Sequence, residues 1–260
     1  MRRFNPDRLP VLTKSVYVSQ QKWVEKNWKD TLKENSRDIE KLLSKVCVFD
    51  FWKSELDNKY EVAKILMPEI FMEANLSVHY ACMGLYKQAH ACLRAQLETV
   101  LRLVYFSTHS VEFGWWHGGK DEYFKKKDVW VDNYQYFRRI EEVKHFHAKC
   151  KDNGDSVNLF NDVGRLYGKL SAYVHSGKLS FQTTPDRFSP KYKKSNFNIW
   201  AKSFRDCQKC INAILILGFP KDFKNIRSLN NKKDILRVVE DSKYKRGFRV
   251  SLNLRFRGRI

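Results

Sequence analysis

No stretch of this 260-residue chain is apolar for long enough to cross a bilayer. The longest such run, "INAILILGF" (residues 211–219), is under half of the roughly 20 residues that a spanning helix needs. The chain also lacks a P-loop, a dinucleotide glycine fingerprint and a nucleophile elbow, which argues against a standard nucleotide enzyme or hydrolase. It has no internal repeat and no low-complexity segment. Six cysteines in a chain this long are too few for a disulfide framework and point to a reducing cytoplasm. Residues 1–15, "MRRFNPDRLPVLTKS", contain no apolar core of the secretory kind, which adds to the expectation of a cytoplasmic protein.

Metal-site spacings are missing too. Cys207 and Cys210 form a lone C-x-x-C with no second pair and no nearby histidine to complete a zinc site, and the strand-to-helix context of a redox pair is missing. His145 and His147 are two residues apart, which sends them to different faces of a helix, whereas a helical metal pair needs a spacing near four. No metal and no cofactor is expected.

Acidic residues are the other shortage. Lys and Arg total 49 against 29 Asp and Glu, a formal charge of +20. A field of that sign attracts polyanions, nucleic acid before anionic membranes or acidic proteins. A composition 43% hydrophobic and 14% aromatic supplies enough apolar surface for a real core.

The hydrophobic pattern is helical nearly throughout. Residues 1–15 read as an irregular basic arm, followed by an amphipathic helix or pair carrying Trp23, Leu32, Ile39, Leu42, Leu43 and Val46. A helical stretch from Leu56 to Gly84 should break or kink at Pro68 and end at the glycine. The next run, residues 85–106, is the strongest helix, with Leu85, Ala89, Leu93, Leu97, Leu101 and Val104 on one side. A charged loop follows, then a helix over Val129–Ala148, a turn offering Asp155 or Ser156 as N-cap, a helix leading to His175, a basic loop, and a last bundle helix stopped by Gly218 and Pro220. In "GFRVSLNLRFRGRI" apolar Phe248, Val250, Leu252, Leu254 and Phe256 alternate with polar residues, which predicts a strand in a basic tail. The expected architecture is all-α: a basic arm and helical extension over 1–56, a bundle of four to five core helices over 57–219, and a basic tail over 220–260.

Within the strong helix, Tyr86, His90, Arg94, Glu98 and Arg102 recur every four residues, so Arg94, Glu98 and Arg102 can form a ladder of charge pairs. The stripe drifts by about 40° per step, which carries part of it toward the apolar side. In the later helix Gly164, Gly168, Ala172 and His175 share a face. Two glycines there cost helix stability, roughly 1 kcal/mol each, and make sense where another backbone comes close, from the bundle or from a second copy. His175 should lie near the end of that helix, where the dipole favours a protonated ring.

These residues carry a resemblance. "GLYKQAHACLRAQLETVLRLVYF" (84–106) and "LYGKLSAYVHSG" (166–177) resemble the HEPN-like helical superfamily, in particular its bacterial branches with an R-x-x-x-E helix and a late L-S-x-x-V-H helix end. The resemblance covers roughly 57–217. It implies a four- or five-helix bundle, frequent dimerisation, and association with toxin–antitoxin or phage-defence systems. Active members use an Arg and a His of the late helix as a metal-independent RNase site across a dimer, and His175 matches that histidine. The arginine pattern departs: four to six residues normally intervene, whereas Lys169 stands at that spacing here and the nearest preceding arginine, Arg165, has nine residues between it and His175. Lysine lacks arginine's planar fork. Arg94, supported by Glu98, is the alternative source of a guanidinium.

Basic residues interleaved with Tyr and Phe form the candidate nucleic-acid contacts: Lys125, Lys126 and Lys127; then Lys191, Lys193 and Lys194; then Lys243, Lys245, Arg246, Arg249, Arg255, Arg257 and Arg259. Two functions follow as expectations. One is an RNA-binding defence or toxin effector that cleaves RNA through His175 with Arg94 or Lys169. The other is a non-catalytic subunit that docks on nucleic acid or a nucleoprotein partner through its basic surface and C-terminal strand.

Overall fold

The computed structural model describes residues 11–120, 129–152, 154, 158–175, 192–239 and 242–252. Among them there is no strand. Helices α1 (Val11–Val46) and α2 (Val48–Leu56) lead into a hairpin of α3 (Glu61–Cys82) and α4 (Tyr86–Phe106). Then come α5 (Ser110–His117), α6 (Val129–Arg139), α7 (Glu141–Asp152), α8 (Leu159–Val174) and α9 (Lys194–Gly218). Helices α10 (Pro220–Asn225), α11 (Leu229–Val239) and α12 (Ser242–Ser251) follow. The protein is an all-α bundle.

Helix α4 runs through the middle, packed by α3, α6, α8 and α9. Its Ala89, Leu93, Leu97 and Val100 are completely buried, at the four- and three-residue intervals that an apolar stripe requires. Each large one contributes about 1.5–3 kcal/mol through removal from water. The α3–α4 turn is set by Gly84, whose φ of 77° lets its N–H reach Ala81 O at 3.0 Å while Leu85 N–H reaches Tyr80 O at 2.8 Å. This closes α3 with the paired bonds of a glycine C-cap. Two more carbonyls at that helix end are served from α1: Thr31 Oγ1 donates to Cys82 O at 3.1 Å and Asn27 Nδ2 to Met83 O at 3.0 Å. Other buried polar groups pair across the core, with Gln208 Nε2 donating to Gln96 Oε1 at 2.9 Å and Trp52 Nε1 to Asn212 Oδ1 at 3.2 Å.

Several sequence expectations change. The arm over 1–15 is helical from Val11 on. Helix α1 departs from helical geometry at Asn35 (φ −134°, ψ 18°), whose side chain bonds both Thr31 O and the Tyr192 hydroxyl. Pro68 does not break α3. The single helix expected over 129–148 is two, parted at Ile140, and α5 is an addition. The N-cap of α8 is Asn158, which accepts from Asn161 N–H at 3.0 Å; Asp155 and Ser156 lie outside the described residues.

The C-terminal strand is the main correction. Phe248, Arg249, Val250 and Ser251 are the end of α12. Tyr244, Phe248 and Leu252 are spaced by four and all buried, whereas Val250 is exposed. An alternating apolar run contains a four-residue repeat as well as a two-residue one, and the surface of α7 selects the former. Phe248 stacks on Phe146 at 4.8 Å, and Gly247 lets the helices approach so closely that a Cβ there would lie 2.6 Å from the Phe146 ring and 2.7 Å from Cys150 Sγ. Residues 253–260 lie outside the described part. One cluster of buried side chains reaches from Ile39 of α1 to Leu252, crossing the segment boundaries expected at 57 and 220.

Candidate functional site

Arg94 lies in the third turn of α4 and Glu98 one turn beyond it; α8 crosses this helix and brings Tyr167 and His175 against them. All three guanidinium nitrogens are engaged. Nε donates to Glu98 Oε1 at 2.9 Å, Nη2 to the Tyr167 hydroxyl at 3.0 Å, and Nη1 lies 2.9 Å from His175 Nε2. A guanidinium can only donate, so His175 Nε2 accepts and its ring proton sits on Nδ1. Tyr167 closes the loop by donating to Glu98 Oε1 at 3.1 Å. The result is a rigid fork with a histidine at its open end.

The Arg94 and Glu98 side chains are each 22% accessible. Partial burial opposes the charge on Arg94, but Glu98 and the Tyr167 hydroxyl outweigh it and hold its proton affinity above the ordinary arginine value. Burial, then Glu98, push the Tyr167 hydroxyl up as well, so it stays a donor. Trp130 of α6 stacks flat on Tyr167, with ring centroids 3.6 Å apart and planes at 3°. The arginine carbon lies 5.1 Å from the centre of the Tyr167 ring. His175 itself is the C-cap of α8, its N–H bonded to Ser171 O at 2.9 Å, and it is exposed.

No family model, curated protein or solved structure matches the chain.

Of the four-spaced stripe, then, Arg94 and Glu98 join the site while Tyr86 and His90 are buried in the core. His90 Nδ1 lies 2.6 Å from Tyr86 O, its ring stacks on Tyr173 at 3.8 Å, and Nε2 is enclosed without a partner among the described residues. Burial pushes its pKa down to about 4, helped by the nearby Lys169 charge and opposed by the Tyr86 bond, so the ring is neutral. Arg102 does not extend the ladder: its Nε has no partner among the described residues. Lys169 is not in the Arg94 cluster. It lines a separate cleft between α8 and α9.

Among the described residues a Cβ on Gly168 would touch nothing within 4 Å, and one on Gly164 would meet the Tyr134 hydroxyl of α6 at 3.5 Å. Among the basic candidates, Lys193 and Lys194 begin α9, with Lys194 Nζ 3.9 Å from Glu34. Lys243, Lys245, Arg246 and Arg249 fall in α12 and not in a strand, and Arg249 is half-buried. Lys125, Lys126, Lys127, Lys191, Arg255, Arg257 and Arg259 lie outside the described residues.

No group of three or more Cys, His, Asp or Glu side chains suited to a metal occurs among the described residues, and no helix there is long and apolar enough to cross a membrane. Cys207 and Cys210 are buried free thiols. Burial pushes Cys207 well up and Cys210 up to about 12, which keeps them protonated and unreactive. Sequence reasoning missed Tyr167 and Trp130. Both are aromatics in amphipathic helices, and their periodicity does not distinguish a site wall from a core wall.

Proposed function

We propose that this protein is an HEPN-like, nucleic-acid-binding effector of a phage-defence or toxin-type system, acting on RNA as a metal-independent ribonuclease. The contact between Arg94 and His175 carries the reading. It puts an accepting imidazole nitrogen beside a fixed guanidinium on an exposed surface, in a chain of charge +20.

In this mechanism His175 Nε2 takes the proton of a ribose 2′-hydroxyl. The 2′-oxygen forms a bond to phosphorus as the bond to the 5′-oxygen breaks. The products are a 2′,3′-cyclic phosphate and a 5′-hydroxyl protonated from water. Arg94 Nη1 exchanges its histidine contact for a phosphate oxygen and offsets the charge that builds there. Glu98 and Tyr167 hold the guanidinium in plane during the exchange, so little reorganisation is needed at the moment of reaction.

One observation favours a second reading, a non-catalytic subunit that docks on nucleic acid through its basic surface. Lys169 occupies the place of the family's arginine, and Arg94 already spends all its nitrogens on protein partners. Cleavage of RNA in EDTA by wild type and His175→Ala, with gel shifts on the same samples, decides between them. Loss of cleavage with binding retained supports the nuclease; binding without cleavage by either protein supports the docking subunit.

A further inference from the structure

Two residues along α8 from Tyr167, on the opposite flank of the helix, a cleft of about 310 Å³ opens against α9. Four cationic side chains line it: Arg165 and Lys169 from α8, Lys202 and Lys209 from α9. Two carboxylates, Asp162 and Asp206, oppose them. Asp162 is already committed, since Arg165 Nη2 is 2.7 Å from it, Lys209 Nζ is 3.8 Å away, and the Tyr244 hydroxyl donates to it. Lys169 and Lys202 are left with Asp206 alone, and among the described residues neither has an ion pair within 4.0 Å. Like charges held together in a concavity are unfavourable unless an anion is to enter between them. Burial and the Lys202 charge lower the proton affinity of Lys169, with Asp206 opposing. A bound phosphate would relieve both effects.

The cleft and the Arg94–His175 cluster flank one strip of bare helix. Lys169 and His175 are six residues apart, about 9 Å along the axis and 120° around it. Gly168 and Ala172 fill the surface between them, and at Gly168 nothing among the described residues stands within 4 Å of where a side chain would begin. On a helix of roughly 5 Å radius the turn adds to that rise and brings the separation to about 12 Å, which three to four stacked nucleotides span at roughly 3.4 Å each.

We infer that the α8–α9 cleft is a phosphate subsite for a single RNA strand, which crosses α8 over Gly168 and Ala172 with Lys169 and Lys202 holding the backbone three to four nucleotides from the one at His175. This rests on the RNA-binding reading of the protein and adds a track to it. The glycine that weakens the helix is explained as the place where the strand lies against bare backbone.

The test is fluorescence anisotropy of the full chain with a labelled 12-nucleotide single-stranded oligoribonucleotide over a series of salt concentrations. The Lys169→Gln/Lys202→Gln pair weakens binding about tenfold or more, and the slope of log K against log salt falls by about 1.4, the value for two lost phosphate contacts. A charge-matched control on exposed α1 positions, Lys22→Gln/Lys26→Gln, changes binding less than about twofold. Gly168→Gln raises or preserves thermal stability, because glutamine is the better helix former, yet weakens binding by obstructing the track. Lys169→Arg/Lys202→Arg keeps the charge and binds like wild type, which separates loss of charge from loss of fold. Equal loss in the cleft pair and the α1 pair, or no loss in the cleft pair, overturns the subsite while wild-type binding still stands. No binding of RNA by wild type, or preference for phosphatidylserine vesicles, overturns the RNA-binding reading and the subsite together.

Discussion

His175 Nε2 and Arg94 Nη1 lie 2.9 Å apart although 81 residues separate them in the chain. The arginine is held from behind by Glu98 and Tyr167, and the histidine caps the end of its helix. A fixed cation beside an exposed acceptor is the relationship from which the functional proposal grows.

Replacing the arginine tests the fork. Arg94→Lys retains a positive charge but cannot meet Glu98, Tyr167 and His175 at once. RNA cleavage falls about a hundredfold or more, the usual scale for losing one oriented donor to developing charge, while oligonucleotide affinity drops only a few-fold. Tyr167→Phe preserves the stack on Trp130 and loses the two hydroxyl bonds, so its cleavage rate lies between wild type and Arg94→Lys. Single-turnover rates in EDTA check both, and equal rates for all three proteins would remove Arg94 from the site.

Acid should destabilise the fold through His90. Its folded pKa of about 4 lies below the ordinary value of 6.5, so the unfolded chain binds the extra proton first. The favourable contribution of the neutral ring is complete above pH 6.5 and is lost as pH falls from 6.5 toward 4, by about 3 kcal/mol in all. His147, shifted down by burial and by Lys151 and Arg138, acts in the same direction. Urea unfolding at pH 7, 5.5 and 4.5 shows the slope, and His90→Phe flattens it without abolishing it. A variant with an unchanged slope would contradict the assignment.

The docking of α12 rests on a glycine. Gly247→Ala places a methyl group into Phe146 and Cys150 and costs about 1–3 kcal/mol of stability, as overpacking does. A mutant as stable as wild type in denaturant would mean that this segment does not pack as a helix on α7.

Thiol labelling should divide the cysteines. Cys47 is exposed and reacts first, whereas Cys82, Cys150, Cys207 and Cys210 are buried and react only on unfolding. Burial and the neighbouring Glu73 push the Cys92 thiol up to about 12, which slows it as well. Peptide mapping after brief alkylation checks the order, and early modification of Cys207 or Cys210 would reopen the C-x-x-C as a reactive pair.

Much of this architecture was legible in the chain. The four-residue spacing of Ala89, Leu93, Leu97 and Leu101 and the glycine at 84 define α4 and the turn before it, because a helix and its cap are local objects whose bonds span few residues. The strand expected near the C-terminus failed for a different reason. Phe248, Val250 and Leu252 satisfy two periodicities, and the choice between them was made by α7, about a hundred residues earlier in sequence. The site was half legible. Arg94, Glu98 and His175 stood out by spacing and residue type, while Lys169 was placed with the wrong group, because its position around α8 turns it toward α9.

What the sequence determined by itself is the helical class, the large positive field and the two helices on which the candidate residues ride. Each of these follows from composition or from neighbours within a turn or two. Tertiary structure alone decided that Arg94 meets His175, that Tyr167 and Trp130 wall the site, that Lys169 faces Lys202 across a cleft, and that Ser242–Ser251 form a helix. Those are contacts between distant parts of the chain, set by the crossing of packed helices, and no local pattern encodes a crossing.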